Sequence, residues 1–289
     1  MKILFLSSKN YESSEKNCGD CIIIDTGTKA IIYDCGCEEH ARYVINYLKG
    51  KYDKAYVILS HNDSDHFNGV NYLIDYGKVH SITTVLLLKH IDDILDEIDD
   101  GRRTREGIKK QIADRFDNIY SLSGNNLNDS LDESLILDPC VNIVGPDYDY
   151  LIEAVSKALD NSESDSIDME TIVNAISVQV EVIIGDHKLL LTGDASFAAI
   201  ENKVRDYDAI QLPHHGKYNQ AKEIFEKNDG REDVIYIVSD NTGNSNGGSD
   251  ELMSECIGKK IKNTKKGEII IDSNSFENHK TGYYGIWDM

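Results

Sequence analysis

The stretch His61-Asn62-Asp63-Ser64-Asp65-His66 decides the fold, and it follows directly on the apolar run Ala55–Leu59, which predicts a buried strand. Imidazole and carboxylate are side chains that hold zinc or manganese, and four of them occur here within six residues. Alternate residues of an extended loop face the same side, so His61, Asp63 and Asp65 are expected to converge. His66 would join them as a helix begins. The stretch therefore predicts metal ligands at a strand end.

A simpler interpretation of this stretch is a polar turn between a strand and a helix, with Asp65 as the helix N-cap. Two further segments argue against it. Leu189–Asp194 is an apolar strand that ends at Gly-Asp, and Ile210–Gly216 ends in the paired histidines His214 and His215. Each segment alone is compatible with an N-cap or a buried core histidine. Together, three strands that end in potential ligands predict one metal centre.

The rest of the chain alternates strands and helices, with a strong hairpin signal over residues 177–192. The pattern is helical and charged from His90 to Leu122, loop-like over Gly124–Asp132, and strand-like again at Tyr283–Trp287. Only three prolines occur, and no Pro-rich linker marks a boundary. We therefore predict a single α/β domain, residues 1–289, with two β-layers covered by helices and a helical insertion around residues 90–138.

Three motifs in this order, H-x-D-x-D-H, L-L-T-G-D and L-P-H-H-G, resemble the metallo-β-lactamase superfamily. In particular they resemble the soluble hydrolase domain of ComEC-type DNA-uptake proteins and its stand-alone relatives. Gly19-Asp20 and Asp34-Cys35-Gly36 are similar to the G-D and D-x-G elements of that group. The resemblance covers nearly the whole chain outside the helical stretch. It implies a four-layer αββα sandwich and a site for two divalent metal ions, zinc or manganese.

The resemblance also implies ligand roles for seven residues. They are His61, Asp63, Asp65, His66, Asp194, His214 and His215. The first two would bind one metal ion, the next two would bind the other, and Asp194 would bridge both ions. Either His214 or His215 would complete the second site, and His214 is preferred because it directly follows the strand end.

Some of these residues receive a second role from the resemblance, and two others receive a supporting one. Asp65 and His215 are predicted to be catalytic, the histidine by lying near the substrate. Asp20 and Asp34 are expected to orient the ligands by hydrogen bonds.

The chain departs from the superfamily pattern at two positions. Asp63 stands where the commonest motif has a histidine, and Asn174 stands where another histidine ligand occurs. Both changes favour oxygen ligands at the first site. Because hard oxygen donors suit manganese, we expect manganese to serve there as well as zinc does.

Four cysteines, Cys18, Cys21, Cys35 and Cys37, flank strands that should lie side by side. Four thiols that meet could form a structural zinc site, but the C-x-C spacing is unusual for one. Free, partly buried thiols are the preferred interpretation.

The composition is acidic, with 51 Asp and Glu residues against 30 Lys and Arg and a formal net charge of -21. Long nucleic acids are bound largely by basic residues that neutralise phosphates, so this balance argues against long duplex DNA. The start, MKILFLSSKN, is too short in apolar residues for a secretory signal, and no run approaches the roughly 18 apolar residues of a membrane span. We therefore expect a cytoplasmic protein with reduced thiols and no membrane association.

The predicted function is a metal-dependent hydrolase, in first place a phosphodiesterase or nuclease that acts on a small-molecule or short, single-stranded nucleic-acid substrate. Lys217 and Lys222, just after the paired histidines, are candidates for holding a phosphate. Two alternatives stay open. One is a metallo-hydrolase of another ester, amide or thioester, and the other is a non-catalytic module that binds a metal or a partner. Superfamily resemblance does not decide between them, because function depends on the loops around the site.

Overall fold

A computed structural model describes residues 1–98, 103–122, 124–160, 166–245, 248–255 and 258–277. The strand predicted at Tyr283–Trp287 lies outside the described residues. Within the described ranges, no helix is both long enough and apolar enough to cross a membrane.

The strands, in chain order, are β1 Lys2–Phe5, β2 Ile22–Asp25, β3 Ala30–Tyr33, β4 Ala55–Ile58, β5 Val79–Thr84, β6 Leu127–Asp129, β7 Val141–Gly145, β8 Ser166–Ile167, β9 Glu170–Thr171, β10 Gln179–Ile184, β11 His187–Leu191, β12 Ala209–Gln211, β13 Ile235–Val238, β14 Lys260–Asn263 and β15 Ile269–Ile271. The helices are α1 Glu38–Leu48, α2 Ser64–Asp75, α3 Ile91–Glu97, α4 Arg105–Arg115, α5 Asp117–Ser121, α6 Tyr148–Asp160, α7 Ile172–Ala175, α8 Phe197–Ile200, α9 Pro213–Gly216, α10 Tyr218–Lys227 and α11 Asp250–Glu255. Short 3₁₀ turns occur at Leu87–His90, Val204–Asp206, Thr264–Lys266 and Ser273–Ser275.

Two large sheets share one design. The first has the order β15-β1-β2-β3-β4-β5-β6, and the second has the order β14-β13-β12-β11-β10-β7. In the first, β3 to β6 are parallel and the remaining pairs are antiparallel. In the second, β11 to β14 are parallel and β7, β10 and β11 are antiparallel. Because parallel strands end at the same edge, each sheet gathers the residues that follow its parallel strands at one edge.

Alternation along the strands explains the layers. In β13, Ile235 and Ile237 belong to the core between the sheets, whereas Tyr236 and Val238 belong to a second core with Ile224 of α10. The second sheet is therefore apolar on both faces, one against the first sheet and one against helices. The result is two sheets flanked by helices, as the sequence predicted.

The structure corrects two local predictions. The predicted loop Gly124–Asp132 contains β6, which pairs with β5. β14 was not predicted, because Lys260 and Lys262 interrupt its apolar pattern. Both strands lie at sheet edges, where few buried residues are needed and the hydrophobic signal is weak. The predicted helical stretch contains α3, α4 and α5.

Candidate metal centre

The predicted site residues follow the ends of parallel strands from both sheets. Asp34 follows β3, His61 follows β4, Asp194 follows β11, and His214 and His215 follow β12. Ligands in open α/β sheets gather at the carboxyl ends of strands, because the connecting loops meet there. The two sheets face each other, so both sets of loops contribute to one site.

The N-terminus of α2 has no side-chain cap, although a carboxylate stands at the N-cap position. Asp63, not Asp65, is the N-cap residue, and its side chain makes no capping hydrogen bond. An Asp at this position usually accepts from the helix backbone, which is worth about 1 kcal/mol. Here Asp63 Oδ2 lies 3.7 Å from His61 Nε2, and its side chain is 47% exposed. The interpretation of the stretch as a simple turn capped by Asp65 is therefore wrong.

Two glycine-containing turns hold the backbone of Asp65 and His66. A Cβ on Gly19 would lie 1.6 Å from the carbonyl oxygen of Asp65, and one on Gly36 would lie 2.0 Å from it. Asp20 N donates to that carbonyl at 3.0 Å, and the turn at Gly36 packs against it from the other side. Only glycine permits this approach, so the G-D and D-x-G elements fix the backbone of the metal motif.

The cysteines lie in these same turns. Cys18, Cys21 and Cys35 are buried and Cys37 is partly buried, all without a disulfide. Among the described residues, the groups of potential ligand atoms within 4.8 Å of one another contain no cysteine. Cys256 lies outside the described residues.

Four histidines are held in the same way: Nδ1 lies within hydrogen-bonding distance of an oxygen, and Nε2 faces the carboxylate of Asp194 or Asp65. His61 Nδ1 lies 2.9 Å from Ser60 Oγ and 3.2 Å from Ser177 Oγ, and His66 Nδ1 lies 2.8 Å from Asp34 Oδ2. The paired histidines follow the same rule: His214 Nδ1 lies 2.6 Å from Glu170 Oε2, and His215 Nδ1 lies 3.0 Å from Ser239 O and 3.2 Å from Asp20 Oδ1. Partners at Nδ1 fix the ring and leave Nε2 as the metal-binding atom.

One group of these atoms, the second pole, comprises Asp65, His66 and His215 with Asp194 Oδ1. His66 Nε2 lies 3.3 Å from Asp194 Oδ1, and His215 Nε2 lies 3.1 Å from Asp65 Oδ2. Ligand atoms of Asp65, His66 and His215 all lie within 4.8 Å of one another. His66 and His215 are buried, so this pole is largely closed to water.

The first pole is defined as His61 and Asp63 with Asp194 Oδ2; ligand atoms of His61 and Asp194 also lie within 4.8 Å of one of His66, which connects the two poles. His61 Nε2 lies 4.0 Å from Asp194 Oδ2 and 3.7 Å from Asp63 Oδ2. Asp194 thus presents one oxygen to each pole, which is the geometry expected of a bridging carboxylate.

The structure reverses the predicted order of the paired histidines. His215, and not His214, lies in the group with Asp65 and His66. Both histidines have left-handed backbones, with φ of 50° at His214 and 55° at His215. These two residues redirect the chain after β12, so distance from the strand end does not decide which ring enters the second pole. His214 Nε2 lies 3.8 Å from Asp194 Oδ2, on the other side of that carboxylate.

The charges of the cluster depend on one another. Burial works against ionisation of Asp194, but His66, His214 and His215 hold the pKa of its carboxyl well below the usual range. Burial alone would lower the pKa of His66 and His215, yet Asp194, together with Asp34 or Asp20, raises both well above the usual value. The carboxylates therefore require positive charge nearby, from protonated imidazoles or from bound cations.

The residues present fit divalent cations. His61 Nε2, His66 Nε2 and Asp194 Oδ1 are buried and have no hydrogen-bond partner. A buried polar atom without a partner costs free energy, so native structures rarely keep one without a reason. Three such atoms around one carboxylate are explained if each contacts a metal ion.

Three residues that the sequence analysis considered near the site have their side chains engaged with other residues. Asn174 accepts a hydrogen bond from Thr171 Oγ1 through its side-chain oxygen. Lys217 Nζ lies 2.8 Å from Glu170 Oε1, and Lys222 forms an exposed pair with Glu226, so both candidate phosphate-binding amines already have acidic partners.

Glu170 was not predicted from the sequence, because its contact with His214 comes from tertiary packing and leaves no local sequence signal. Ser177, whose hydroxyl contacts His61 Nδ1, begins the predicted hairpin.

Helices α4 and α5 of the helical stretch contact the metal motif. Asn62 Nδ2 donates to Arg115 O, and Asn118 Nδ2 donates to Asn62 O, both at 3.0 Å. Asn62 is thus held through its side-chain nitrogen and its backbone carbonyl by these helices, which therefore support the loop that carries His61 and Asp63.

Comparisons with known proteins agree with this architecture. Residues 19–141, less than half of the chain, match the family model for the metallo-beta-lactamase superfamily. The structure is similar to the metallo-beta-lactamase fold protein YhfI from Bacillus subtilis, with a TM-score of 0.53 and 13% sequence identity over 94% of this chain and 99% of that one. The fold is the metallo-β-lactamase fold.

A second similar structure is Igni18, a metallo hydrolase from Ignicoccus hospitalis KIN4/I. Its TM-score is 0.48 at 10% identity, over 94% of this chain and 99% of that one, which is too low to add to the argument. No curated protein matches the sequence significantly. Proteins of the metallo-β-lactamase superfamily are mostly metal-dependent hydrolases, and they usually bind divalent metals.

Proposed function

We propose that this protein is a metal-dependent phosphodiesterase that uses two divalent cations, zinc or manganese, on small or single-stranded substrates. The observation that carries the proposal is the position of Asp194. Its Oδ1 lies 3.3 Å from His66 Nε2 and its Oδ2 lies 4.0 Å from His61 Nε2, so one carboxylate can reach two cations. The resemblance of the three motifs to the ComEC-type hydrolase domain supports a nucleotide or DNA substrate.

Two cations bridged by a carboxylate suit phosphodiester hydrolysis. Bound ions of this kind would supply charge stabilisation for the attacking and leaving oxygens. The chain's own contribution is to hold the donor atoms in place. Asp34 and Asp20 hold His66 and His215, and Asn17 Nδ2 donates to Asp65 Oδ2 at 2.7 Å. Donors held in advance need little reorganisation when a substrate arrives.

Substrate would approach from the side of Asp63 and His214. The side chains of these two residues are 47% and 26% exposed, whereas those of His61 and His66 are 1% and 0% exposed. Asp63 and His214 therefore form the open side of the cluster, from which a scissile group could reach the cations.

The charge around the site favours a short substrate. The net charge of -21 repels long polyanions unless basic residues gather near the site. Lys217 and Lys222, which follow the paired histidines, are engaged with Glu170 and Glu226. A nucleotide or a short oligonucleotide carries few phosphates and is repelled less than a long duplex.

A cytoplasmic location fits the same proposal. The five cysteines described, Cys18, Cys21, Cys35, Cys37 and Cys140, form no disulfide. Reduced thiols persist in the cytoplasm, where nucleotides and DNA fragments are also available.

The test is hydrolysis by metal-reconstituted protein. Bis-p-nitrophenyl phosphate and short single-stranded oligonucleotides should be cleaved in the presence of Mn²⁺ or Zn²⁺, and a p-nitrophenyl ester should be cleaved more slowly. Asp65→Ala should reduce the rate by about 10³-fold, since a lost ligand removes several kcal/mol of transition-state stabilisation.

The matched control is Asp75→Ala, at the exposed end of the same helix α2, which should keep the wild-type rate. Equal rates for wild type and Asp65→Ala would contradict the proposal. Faster cleavage of the carboxylic ester than of either phosphodiester would favour another ester as the substrate.

A further inference from the structure

The first pole has fewer donors than the second. At metal–ligand distances of about 2.1 Å, atoms bound to one ion lie roughly 3–4 Å apart. The second pole offers four donor residues: ligand atoms of Asp65, His66 and His215 lie within 4.8 Å of one another, and Asp194 Oδ1 lies 3.3 Å from His66 Nε2. The first pole offers only His61, Asp63 and Asp194, although His61 Nε2 is buried without a partner.

His214 has the position and the orientation of a missing donor. Its Nε2 lies 3.8 Å from Asp194 Oδ2, the oxygen that also faces His61 Nε2 at 4.0 Å. Its Nδ1 lies 2.6 Å from Glu170 Oε2, so a neutral ring donates to Glu170 and turns its Nε2 lone pair towards Asp194. His66 has the same arrangement at the second pole, with Asp34 at 2.8 Å from Nδ1 and Asp194 Oδ1 at 3.3 Å from Nε2.

Glu170 is a support of the kind that metal-binding histidines use. It is 1% exposed, and its oxygens also accept from Lys217 Nζ at 2.8 Å and from Gln220 Nε2 at 3.3 Å. These contacts hold the buried side chain of Glu170 in place. A carboxylate on Nδ1 sets the tautomer and the direction of a histidine that binds metal through Nε2.

We propose that His214 is the fourth ligand of the first pole, held by Glu170, and that it supplies the imidazole that neither Asp63 nor Asn174 provides. Each pole then holds its divalent cation with two imidazoles and two carboxylates. The paired histidines divide between the poles, His214 to the first and His215 to the second. This inference rests on the two-cation centre of the proposed function, and it is independent of the substrate.

The test counts bound ions without any substrate. Metal-free protein is titrated with Mn²⁺ in a calorimeter, and bound manganese is measured after gel filtration. Wild-type protein should bind two ions, and electron paramagnetic resonance should detect their coupling. His214→Ala should retain one ion with an uncoupled signal, while the affinity of the remaining site changes by less than about 3-fold.

His80→Ala is the matched control, because this exposed histidine contacts the ring of Tyr56 of β4 and belongs to none of the ligand groups. It should bind two coupled ions. Glu170→Gln keeps the shape of the support and should weaken the first ion by about 10–100-fold, which tests the inference even if His214→Ala does not fold.

Three results would overturn the inference. His214→Ala that binds two coupled ions with wild-type affinity would exclude a ligand role, and lost turnover in that variant would then indicate a proton donor. Wild-type protein that binds fewer than two ions would remove the first site altogether. Wild-type Mn²⁺ affinity at the first pole in Glu170→Gln would exclude the proposed role of Glu170 in holding His214. Because no substrate is present, absent phosphodiesterase activity affects none of these readouts.

Discussion

The two poles of the cluster differ in burial and in the charge of their supports. At the second pole, His66 and His215 are buried, and each has a carboxylate on Nδ1, from Asp34 and Asp20 respectively. At the first pole, His61 Nδ1 meets only the hydroxyls of Ser60 and Ser177, so of the two histidines proposed there only His214 has a carboxylate, that of Glu170, on Nδ1. Charge-assisted hydrogen bonds are roughly twice as strong as neutral ones, so the second pole is the more firmly held.

The exposure of the carboxylates follows the same division. Asp63 of the first pole is 47% exposed, whereas Asp65 of the second is 17% exposed and accepts from Asn17. A fixed, dry site binds a cation before an open one does, because fewer groups must be ordered on binding. We therefore expect the two cations to bind in sequence, the cation of the second pole first. We also expect substrate to exchange on the side of the open first pole.

The largest expected effect is at the residue that the poles share. Asp194→Ala removes an oxygen from each pole and leaves His66 and His215 without their main counter-charge, so neither cation should bind tightly. A ligand at 100 times its Kd stabilises a fold by about 2.7 kcal/mol, so Mn²⁺ should raise the Tm of wild-type protein but not that of Asp194→Ala.

The control for this variant is Asp186→Ala, in the exposed turn between β10 and β11. It should keep the full thermal shift. If Mn²⁺ raised the Tm of Asp194→Ala as much as that of wild type, cation binding at both poles would not depend on this carboxylate, and Asp194 would not be their shared ligand.

The next largest effects distinguish the two poles, because a substitution at each pole should weaken a different cation. Asp65→Asn should weaken the tighter of two calorimetric binding events by about 100-fold or more, since it removes a charged ligand from a buried site. Asp63→Asn should weaken only the looser event, by about 10-fold, because Asp63 is half exposed and water can replace its oxygen. If Asp63→Asn affects the tighter event, the first pole fills first and the predicted order is wrong.

Residues in short motifs were the easiest to single out from the sequence. Asp65 and His66 are adjacent in one motif, and Asp20 and Asp34 belong to short motifs around glycine, so the family resemblance of these motifs implied their roles. The fold was predicted for a related reason, since buried strands such as β3 and β4 are uninterrupted apolar runs. Such signals are contained within a few residues.

The remaining features depend on tertiary structure. Two left-handed histidines decide which ring enters which pole, and no glycine precedes them to indicate such a turn. Glu170 belongs to the short strand β9, and its contact with His214 spans 44 residues. Ser177 reaches His61 over 116 residues. Contacts between residues so far apart in the chain leave no periodic pattern in the sequence. The residues that hold the first-pole histidines could therefore not be assigned from the sequence.

A smaller effect tests the charged supports. Asp34→Asn and Asp20→Asn keep the shape of the side chains on His66 and His215 but remove the charge, so each should weaken the tighter cation by about 10–100-fold and leave the looser one within about 3-fold. Calorimetric titration with Mn²⁺ measures both constants in one experiment.

Asp129→Asn is the matched control, because Asp129 is also buried and contacts His90 Nε2 at 2.8 Å, outside the cluster. It should leave both constants unchanged. Equal weakening of both cations in Asp34→Asn would mean that the supports act on the whole cluster rather than on one pole.

The smallest effect is expected at a neutral support of the first pole. Ser177 Oγ lies 3.2 Å from His61 Nδ1 and accepts from the backbone N–H of Asp194 at 3.2 Å. In Ser177→Ala, Ser60 Oγ still lies 2.9 Å from His61 Nδ1, so the looser cation should weaken by less than about 10-fold. The buried N–H of Asp194 loses its acceptor, which should lower the free energy of unfolding by about 1–3 kcal/mol.

Urea denaturation of the metal-free protein measures this loss, and the manganese titration measures the change in affinity. Ser60→Ala provides the contrast, since Ser60 Oγ contacts both Asp34 and His61 and should weaken both cations. A Ser177→Ala variant that weakens the tighter cation as much as the looser one would show that a hydroxyl couples the poles. The difference between a closed pole whose histidines are held by carboxylates and an open pole whose His61 is held by hydroxyls would then no longer explain the order of binding.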